Sequence, residues 1–261
     1  MKNLIAFHGS DHKAGTTMIS QSVAELIAKN RKEIKVLWIV LGLGDGREYK
    51  NAVSRSLEDF RLQIYSHILS SEEVTAAAKL SKNLFMLGGI KNFSEQRLYF
   101  PEHAKYFLEC IMDEFDLIIA DCGNDIDNGL AIGALENAAL LYMMIPQKES
   151  GLHQYEIKSD FYSRLKLNQT SMILSHFYDE DPITLHYTAK RLGIPYEDIF
   201  KVQESGVGRQ AERDKKNLLF YDDTNYKKDI FRIADSILRH CELGCLDMET
   251  GKRKKRWINF I

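Results

Sequence analysis

The chain has 261 residues, of which 44% are hydrophobic, and this is enough for one sizeable buried core. Its 35 Lys and Arg residues nearly balance 37 Asp and Glu residues, so the formal net charge is -2. This balance excludes a general polyanion binder, and any basic surface must be local. No apolar stretch approaches the roughly 20 residues that a membrane-spanning helix needs.

The start of the chain and its cysteines indicate a reducing compartment. The chain opens into the apolar run Leu4–Phe7, which does not have the pattern of a secretory leader. We therefore expect a cytoplasmic protein with free thiols. Cys241 and Cys245 follow His240, but their spacing is not that of common zinc sites and no second pair lies nearby. This pattern favours buried or incidental thiols over metal ligands.

Short apolar runs alternate with helical patterns along most of the chain, which is typical of βαβ units and a largely parallel sheet. The predicted strands are Leu4–Phe7, Lys35–Leu41, Leu84–Leu87, Leu117–Ala120, Leu140–Ile145, Met172–Ser175 and Ile199–Val202. The predicted helices are Thr16–Lys29, Leu57–Ile68, Glu72–Lys79, Pro101–Glu114, Leu130–Asn137, His153–Leu165, Ile183–Leu192 and Lys227–His240. We therefore predict a doubly wound α/β fold with a mainly parallel sheet and helices on both faces. Its first and fourth strands should end at the same edge.

The first motif is the polar loop between the first strand and the first helix. It comprises Gly9, Ser10, Asp11, His12, Lys13, Ala14, Gly15, Thr16 and Thr17. A glycine-bounded loop in this place aims backbone N–H groups and a helix N-terminus at one point, which makes an anion site by geometry. The alternative is an ordinary turn in which Thr16 is the N-cap of the helix. The position of the loop leaves both interpretations open.

The second motif is the buried strand Leu117–Ala120, which leads into Asp121. The carboxyl end of a parallel strand is where α/β sheets bind ligands, and an Asp there can hold Mg²⁺ through water. The alternative is a helix cap or a turn former, which the following Asn124-Asp125 pair makes reasonable. A further buried strand then ends at the proline-marked turn around Pro146.

The third motif is the C-terminal tail, which joins five consecutive cations to an apolar end. Its residues are Lys252, Arg253, Lys254, Lys255, Arg256, Trp257, Ile258, Phe260 and Ile261. Each basic residue near anionic lipid contributes about 1 kcal/mol, and the apolar side chains can insert. Docking on a membrane or a partner is therefore favoured. A nucleic-acid contact, or an end that packs on the domain, stays open as an alternative.

The order of these features resembles the ParA/MinD superfamily, whose phosphate loop is a deviant Walker A motif. The chain has a strand, a loop ending in Thr16-Thr17, an amphipathic helix, a distant strand ending in Asp121, and a strand followed by Pro146. The similarity runs from about Met1 to His240. Because its loop is unusual, the chain most resembles the CpaE/TadZ branch of this superfamily, whose members help to localise pilus-assembly machinery.

The loop departs from the pattern of that superfamily at its charged positions. Alignment on the threonine pair places Ser10 where the signature lysine stands and Gly15 where the phosphate-binding lysine stands. Lys13 could swing in as a substitute, although its stem leaves the loop two residues too early, and Asp11 brings a negative charge toward the phosphates. A lysine restored at position 15 should tighten ATP binding by about 1–3 kcal/mol, provided that the glycine does not need a positive φ.

The acidic residues that follow the second strand in the superfamily are also missing. Val40 and Gly42 occupy their places, and Asp45 could compensate from the next turn. Three features still match the superfamily. The resemblance implies Thr16 as a Mg²⁺ ligand, Asp121 as the Walker B-type acid, and a helix dipole that faces the loop. The implied cofactors are ATP and Mg²⁺.

The loss of both lysines should cripple phosphoryl transfer, which depends on positioned cations. Binding can survive, because backbone N–H groups and Mg²⁺ can carry a phosphate chain. Two functions therefore stay open. The first is a positioning protein that binds nucleotide, has weak or no ATP hydrolysis, and acts as a homodimer at the inner face of the membrane or on a pilus or secretion-type assembly. The second is a nucleotide-independent pseudo-ATPase scaffold.

The chain has only four prolines and no Ser/Gly-rich linker. We therefore expect one domain over residues 1–245 and a tail over residues 246–261.

Overall fold

The computed structural model describes residues 1–44, 46, 55–165, 167 and 169–246. The strands in this part of the chain are β1 (Leu4–Gly9), β2 (Val36–Val40), β3 (Leu84–Leu87), β4 (Leu117–Asp121), β5 (Leu140–Pro146), β6 (Thr170–Phe177) and β7 (Ile199–Gln203). The helices are α1 (Thr16–Asn30), α2 (Arg61–Tyr65), α3 (Ser71–Ala78), α4 (Phe93–Gln96), α5 (Pro101–Ile111), α6 (Gly129–Asn137), α7 (Glu149–Arg164), α8 (Leu185–Leu192), α9 (Gly208–Asp214) and α10 (Thr224–His240).

The strands form one parallel sheet in the order β3-β2-β4-β1-β5-β6-β7. This confirms the predicted doubly wound α/β fold. Every residue of β1 and β2 is buried, because a parallel sheet is covered by helices on both faces and its strands are therefore apolar throughout.

The two faces of the sheet carry two separate hydrophobic clusters. Leu4 and Ala6 of β1 belong to the cluster that contains the buried side chains of α5 and α6. Ile5 and Phe7 point the other way, into the cluster that α1 and α10 cover. Successive side chains of a strand alternate between faces. One strand can therefore anchor helices on both sides of the sheet.

The centre of the sheet brings the ends of β1 and β4 together. The two strands are parallel neighbours, with Phe7 opposite Asp121, so the prediction that they end at the same edge is confirmed. The helix after β1 packs on one face of the sheet and the helix after β4 packs on the other. A crevice opens at the carboxyl ends of strands where the chain diverges in this way, and α/β proteins bind ligands there.

The predicted helix Leu57–Ile68 is wrong as one element. The chain forms a 3-10 turn at Leu57–Phe60 and only then the short helix α2. The helices α4 and α9 were not predicted, because segments of four and seven residues are too short to show a helical period. The helix α7 begins at Glu149, which is ahead of the predicted start at His153.

The last described residues pack on the domain. Leu246, the first residue of the predicted tail, is buried, and its amide donates to Asp235 Oδ1 at 2.8 Å. The basic tail residues 252–261 and Asp45 lie outside the described residues. Across the part of the chain that is described, the helices are too short or too polar to cross a bilayer.

Candidate functional site

The predicted anion loop runs from Gly9, the last residue of β1, to Gly15, which caps α1. Gly15 has φ 83° and ψ 17°, so it is the N-cap, and Thr16 is the first helical residue rather than the cap. A glycine offers no side-chain oxygen to the first helical amides, and the first turn of α1 contains no acidic residue. The positive end of the helix dipole therefore faces the loop without a carboxylate of its own.

The positive φ of Gly15 corrects one expectation. A left-handed backbone is strained for any residue with a Cβ, so a lysine at position 15 would distort the loop that it was meant to restore. Because Gly15 does need a positive φ, we no longer expect Gly15→Lys to tighten ATP binding.

The loop folds back closely on the strand that precedes it. A Cβ on Gly9 would lie 3.0 Å from Thr16 Oγ1 and 3.2 Å from the Ala14 side chain, so a larger residue would crowd the loop here. The Gly9 amide also donates to Gly123 O at 2.7 Å, which joins the end of β1 to the turn after β4. The Thr16 hydroxyl is therefore held at the carboxyl edge of the sheet.

Asp121 ends β4 at the same edge and is 1% exposed. Its Oδ1 accepts a hydrogen bond from the Gly123 amide at 3.1 Å, so the carboxylate also stabilises the turn. Asp121 does not cap the next helix, because Asn128 Oδ1 accepts from the first amides of α6. The structure thus places Asp121 and the Thr16 loop on adjacent strand ends.

The negative charge of Asp11 is compensated by a residue that the sequence did not indicate. Lys148 Nζ lies 3.2 Å from Asp11 Oδ2, and the His12 amide donates to Oδ1 at 2.7 Å. Burial acts to raise the pKa of Asp11, but these two donors outweigh it and lower the pKa. Lys148 is the second residue after β5, so its place just after a neighbouring strand end was the available signal.

A second lysine from α7 ties the loop to the turn after β4. Lys158 Nζ donates to Ser10 O at 2.9 Å and to Asn124 O at 3.1 Å. Burial lowers the pKa of Lys158, while Asp11 and Asp125 act in the opposite direction. A lysine in the middle of a helical pattern gives no sequence signal for this role.

The remaining loop residues divide between buried and exposed positions. Ser10 is buried, and its hydroxyl donates to Gly151 O at 3.2 Å, so it faces α7. Ala14 is buried in the core, whereas the side chains of His12 and Lys13 are exposed. Thr17 is half-buried in the first turn of α1. Lys13 has φ 58°, and its carbonyl accepts a hydrogen bond from His176 Nε2 at 2.9 Å.

These residues fit a phosphate group with Mg²⁺ better than a metal ion alone. The described residues include no cluster of three or more His, Cys, Asp or Glu side chains that could hold a metal. Mg²⁺ in nucleotide sites is usually held by one or two protein oxygens and by the phosphates themselves. The Thr16 hydroxyl and the Asp121 carboxylate are a donor set of that kind.

Comparison with solved structures shows which proteins share this fold. A ParA-family ATPase from Chlorobium tepidum superposes with a TM-score of 0.76 at 18% identity, over 89% of this chain and 97% of that one. The MinD cell-division ATPase from Pyrococcus furiosus superposes with a TM-score of 0.71 at 14% identity, over 92% of this chain and 99% of that one. The MinD protein from Pyrococcus horikoshii, complexed with Mg-ADP, gives 0.71 at 14% identity, over 91% and 96%. No protein-family model and no curated protein sequence matches the chain. The chain therefore has the P-loop fold of the ParA and MinD ATPases.

Proposed function

We propose that the chain is a ParA/MinD-like positioning protein that binds a nucleotide and Mg²⁺ at the loop between Gly9 and Thr17. The observation that carries this proposal is the glycine-capped N-terminus of α1, which ends a loop at the central crevice of the sheet. Backbone amides and a helix dipole in this arrangement bind phosphate without needing a charged side chain.

In this proposal the chain's own residues bind and orient the ligand. The amides that begin α1 receive a phosphate group, and the N-cap Gly15 places no side chain over them. Thr16 and Asp121 are the residues that would hold Mg²⁺, which neutralises phosphate charge when it is bound. The Pyrococcus horikoshii neighbour, whose structure contains Mg-ADP, supports this choice of ligand.

The arrangement of cations supports weak or absent hydrolysis. Lys148 is paired with Asp11, and the Lys158 ammonium is directed at two backbone carbonyls. Phosphoryl transfer needs cations aimed at the charge that develops in the transition state, and a single one accounts for about 10³- to 10⁵-fold in some enzymes. A site whose cations are engaged in this way should turn over near the background rate.

The cellular role in this proposal is that of a CpaE/TadZ-like localisation protein. It would act as a homodimer at an anionic membrane surface or on a pilus or secretion-type assembly. Support comes from the resemblance and from the basic, apolar tail Lys252–Ile261. Nucleic acid is a less favoured partner of the tail, because the apolar end that follows the five cations suits a lipid surface better.

A nucleotide-independent scaffold is the second candidate, and a specific observation favours it. The loop is already held by three contacts from outside its own segment, which are Lys148 to Asp11, Lys158 to Ser10 O, and His176 to Lys13 O. A loop that is fixed in this way does not need a phosphate to define its path. Such a protein would present the same surface in all nucleotide conditions.

Calorimetry with Mg-ATP and Mg-ADP separates these two candidates. The wild type should bind with a Kd in about the micromolar range or weaker. Asp121→Asn keeps the shape of the side chain but removes its charge, and it should weaken binding by about 10-fold or more, the typical effect of losing a charge-assisted contact. Asp160→Asn, at an exposed position on α7, is the matched control and should bind like the wild type. The absence of heat from the wild type would leave the scaffold as the surviving function.

A further inference from the structure

His176 has an unusual backbone conformation that turns it toward the loop. It lies near the end of β6, where the pairing with β7 shifts register between Leu174 and Phe177. Its φ is 53°, in the left-handed region that a residue with a Cβ rarely adopts. Strained backbone of this kind often occurs at functional sites. The conformation brings Nε2 to 2.9 Å from Lys13 O, and Lys13 itself has a positive φ.

The two contacts of the His176 ring define its charge. Nε2 must donate, because the Lys13 carbonyl can only accept. Nδ1 contacts the carboxylate of Glu204, which is also an acceptor when it is ionised. Below the raised pKa of His176, both ring nitrogens are therefore donors and the ring is an imidazolium. The hydrogen bond with Glu204 is the largest cause of a raised pKa at His176, burial opposes it, and the Lys13 carbonyl adds to it.

The imidazolium lies beside the residue that caps α1. A Cβ added to Gly15 would be 3.9 Å from His176 Nε2. Glu204 is bonded to Nδ1, so the ring turns its other nitrogen, Nε2, toward the loop. The other charged group acting on the ring is Lys148, which lowers its pKa and is itself paired with Asp11. The positive charge of the ring thus reinforces the positive end of the helix at a position without a side chain.

We propose that His176, charged and positioned by Glu204, favours a nucleotide phosphate at this loop through the charge of its ring, because both of its N–H groups are already used by Lys13 O and Glu204. The inference rests on the proposed nucleotide binding by the same loop. It adds a pH dependence to that binding. The charge is present below the raised pKa of His176 and is lost as pH rises through it, so affinity should be highest in mild acid and should fall toward alkaline pH.

The test is calorimetry with Mg-ADP and Mg-ATP between about pH 5.5 and 8.5, which brackets the ordinary pKa of histidine. The variant is His176→Asn, because Asn tolerates the left-handed backbone and has no charge. Its shorter side chain does not reach the position of Nε2, so loss of the contact with Lys13 O weakens binding equally at every pH, and only the loss of charge changes with pH. His186→Asn, at an exposed position on α8, is the matched control. Nucleotide phosphates also titrate near about pH 6, so the result that matters is the ratio of the variant Kd to the wild-type Kd at each pH.

The expected ratio is larger at the acidic end than at the alkaline end, by up to about 10-fold, the effect of one nearby charge that acts through space. The control should stay at 1 throughout. In Glu204→Gln, the fall of nucleotide affinity with pH should occur at lower pH than in the wild type. NMR titration of the His176 ring should show the same shift. This pair of measurements also supplies the test if His176→Asn does not fold.

Three results would overturn the inference. A ratio that does not change with pH, in a wild type that binds nucleotide, refutes the role of His176 and leaves the proposed function intact. An unshifted His176 titration in Glu204→Gln refutes the positioning role of Glu204. Wild-type protein that binds neither nucleotide at any pH refutes the proposed function together with this inference.

Discussion

Acid should destabilise the fold through one buried residue, His8. This residue lies in β1 next to Gly9 and is fully buried, with Nε2 3.2 Å from the Tyr162 hydroxyl. Burial, assisted by the nearby Lys158, lowers the pKa of His8 from 6.5 to about 4. The unfolded chain therefore binds more protons than the folded chain between these two values. The contribution of His8 to stability is complete above about pH 6.5 and is lost as pH falls toward 4.

The size of this effect follows from the pKa difference. The shift from 6.5 to about 4 is about 2.5 units, and one unit corresponds to about 1.36 kcal/mol. The free energy of unfolding should therefore fall by about 3 kcal/mol across this range because of His8 alone. Domains are usually stable by only about 5–15 kcal/mol, so the loss is measurable.

Urea unfolding at several pH values, for wild type and His8→Phe, measures this contribution. Phenylalanine keeps an aromatic ring against Tyr162 but cannot be protonated. Carboxylates and the other histidines titrate in both proteins, so they cancel in the difference between the two unfolding free energies. Between pH 7 and pH 4, the free energy of unfolding of the wild type should fall by about 3 kcal/mol more than that of His8→Phe. A difference that stays constant over this range would refute the assignment of a buried, neutral His8.

Two further predictions concern packing and the tail. Gly133→Ala should lower the free energy of unfolding by about 1–3 kcal/mol, because the new Cβ would lie 2.4 Å from Pro101 O in the contact between α5 and α6. Gly206→Ala, where nothing lies within 4 Å, should change it by less than about 0.5 kcal/mol, and equal effects in urea unfolding would contradict the packing argument. Deleting Lys252–Ile261 should abolish salt-sensitive cosedimentation with anionic vesicles and leave Tm unchanged, because screening acts over about 8 Å at physiological salt. Full-length protein that ignores such vesicles at low salt would point to a protein partner.

The sheet could be predicted because its strands are buried on both faces. Runs such as Val36–Val40 and Leu140–Ile145 are apolar at every position, and polar helical segments separate them. That β1 and β4 end at the same edge followed from the fold class, whereas their direct pairing was not predicted. Local pattern was sufficient for these elements, because burial on two faces leaves a continuous signal in the sequence.

The details of the site could not be predicted, because they depend on residues far away in the chain. Lys158 and His176 contact the loop from 148 and 163 residues away, and neither forms part of a motif. The positive φ of Gly15 is also invisible in the sequence, since glycine adopts either sign. The sequence therefore located the loop, and tertiary contacts determined its charge balance.

A crystal structure grown with ATP and Mg²⁺ is the most direct test of the nucleotide site. The structure predicts density for a phosphate chain at the amides that begin α1, with Mg²⁺ between Thr16 and Asp121. A loop that keeps its pairing of Asp11 with Lys148 and shows no nucleotide at a saturating concentration would contradict the site and leave the scaffold function.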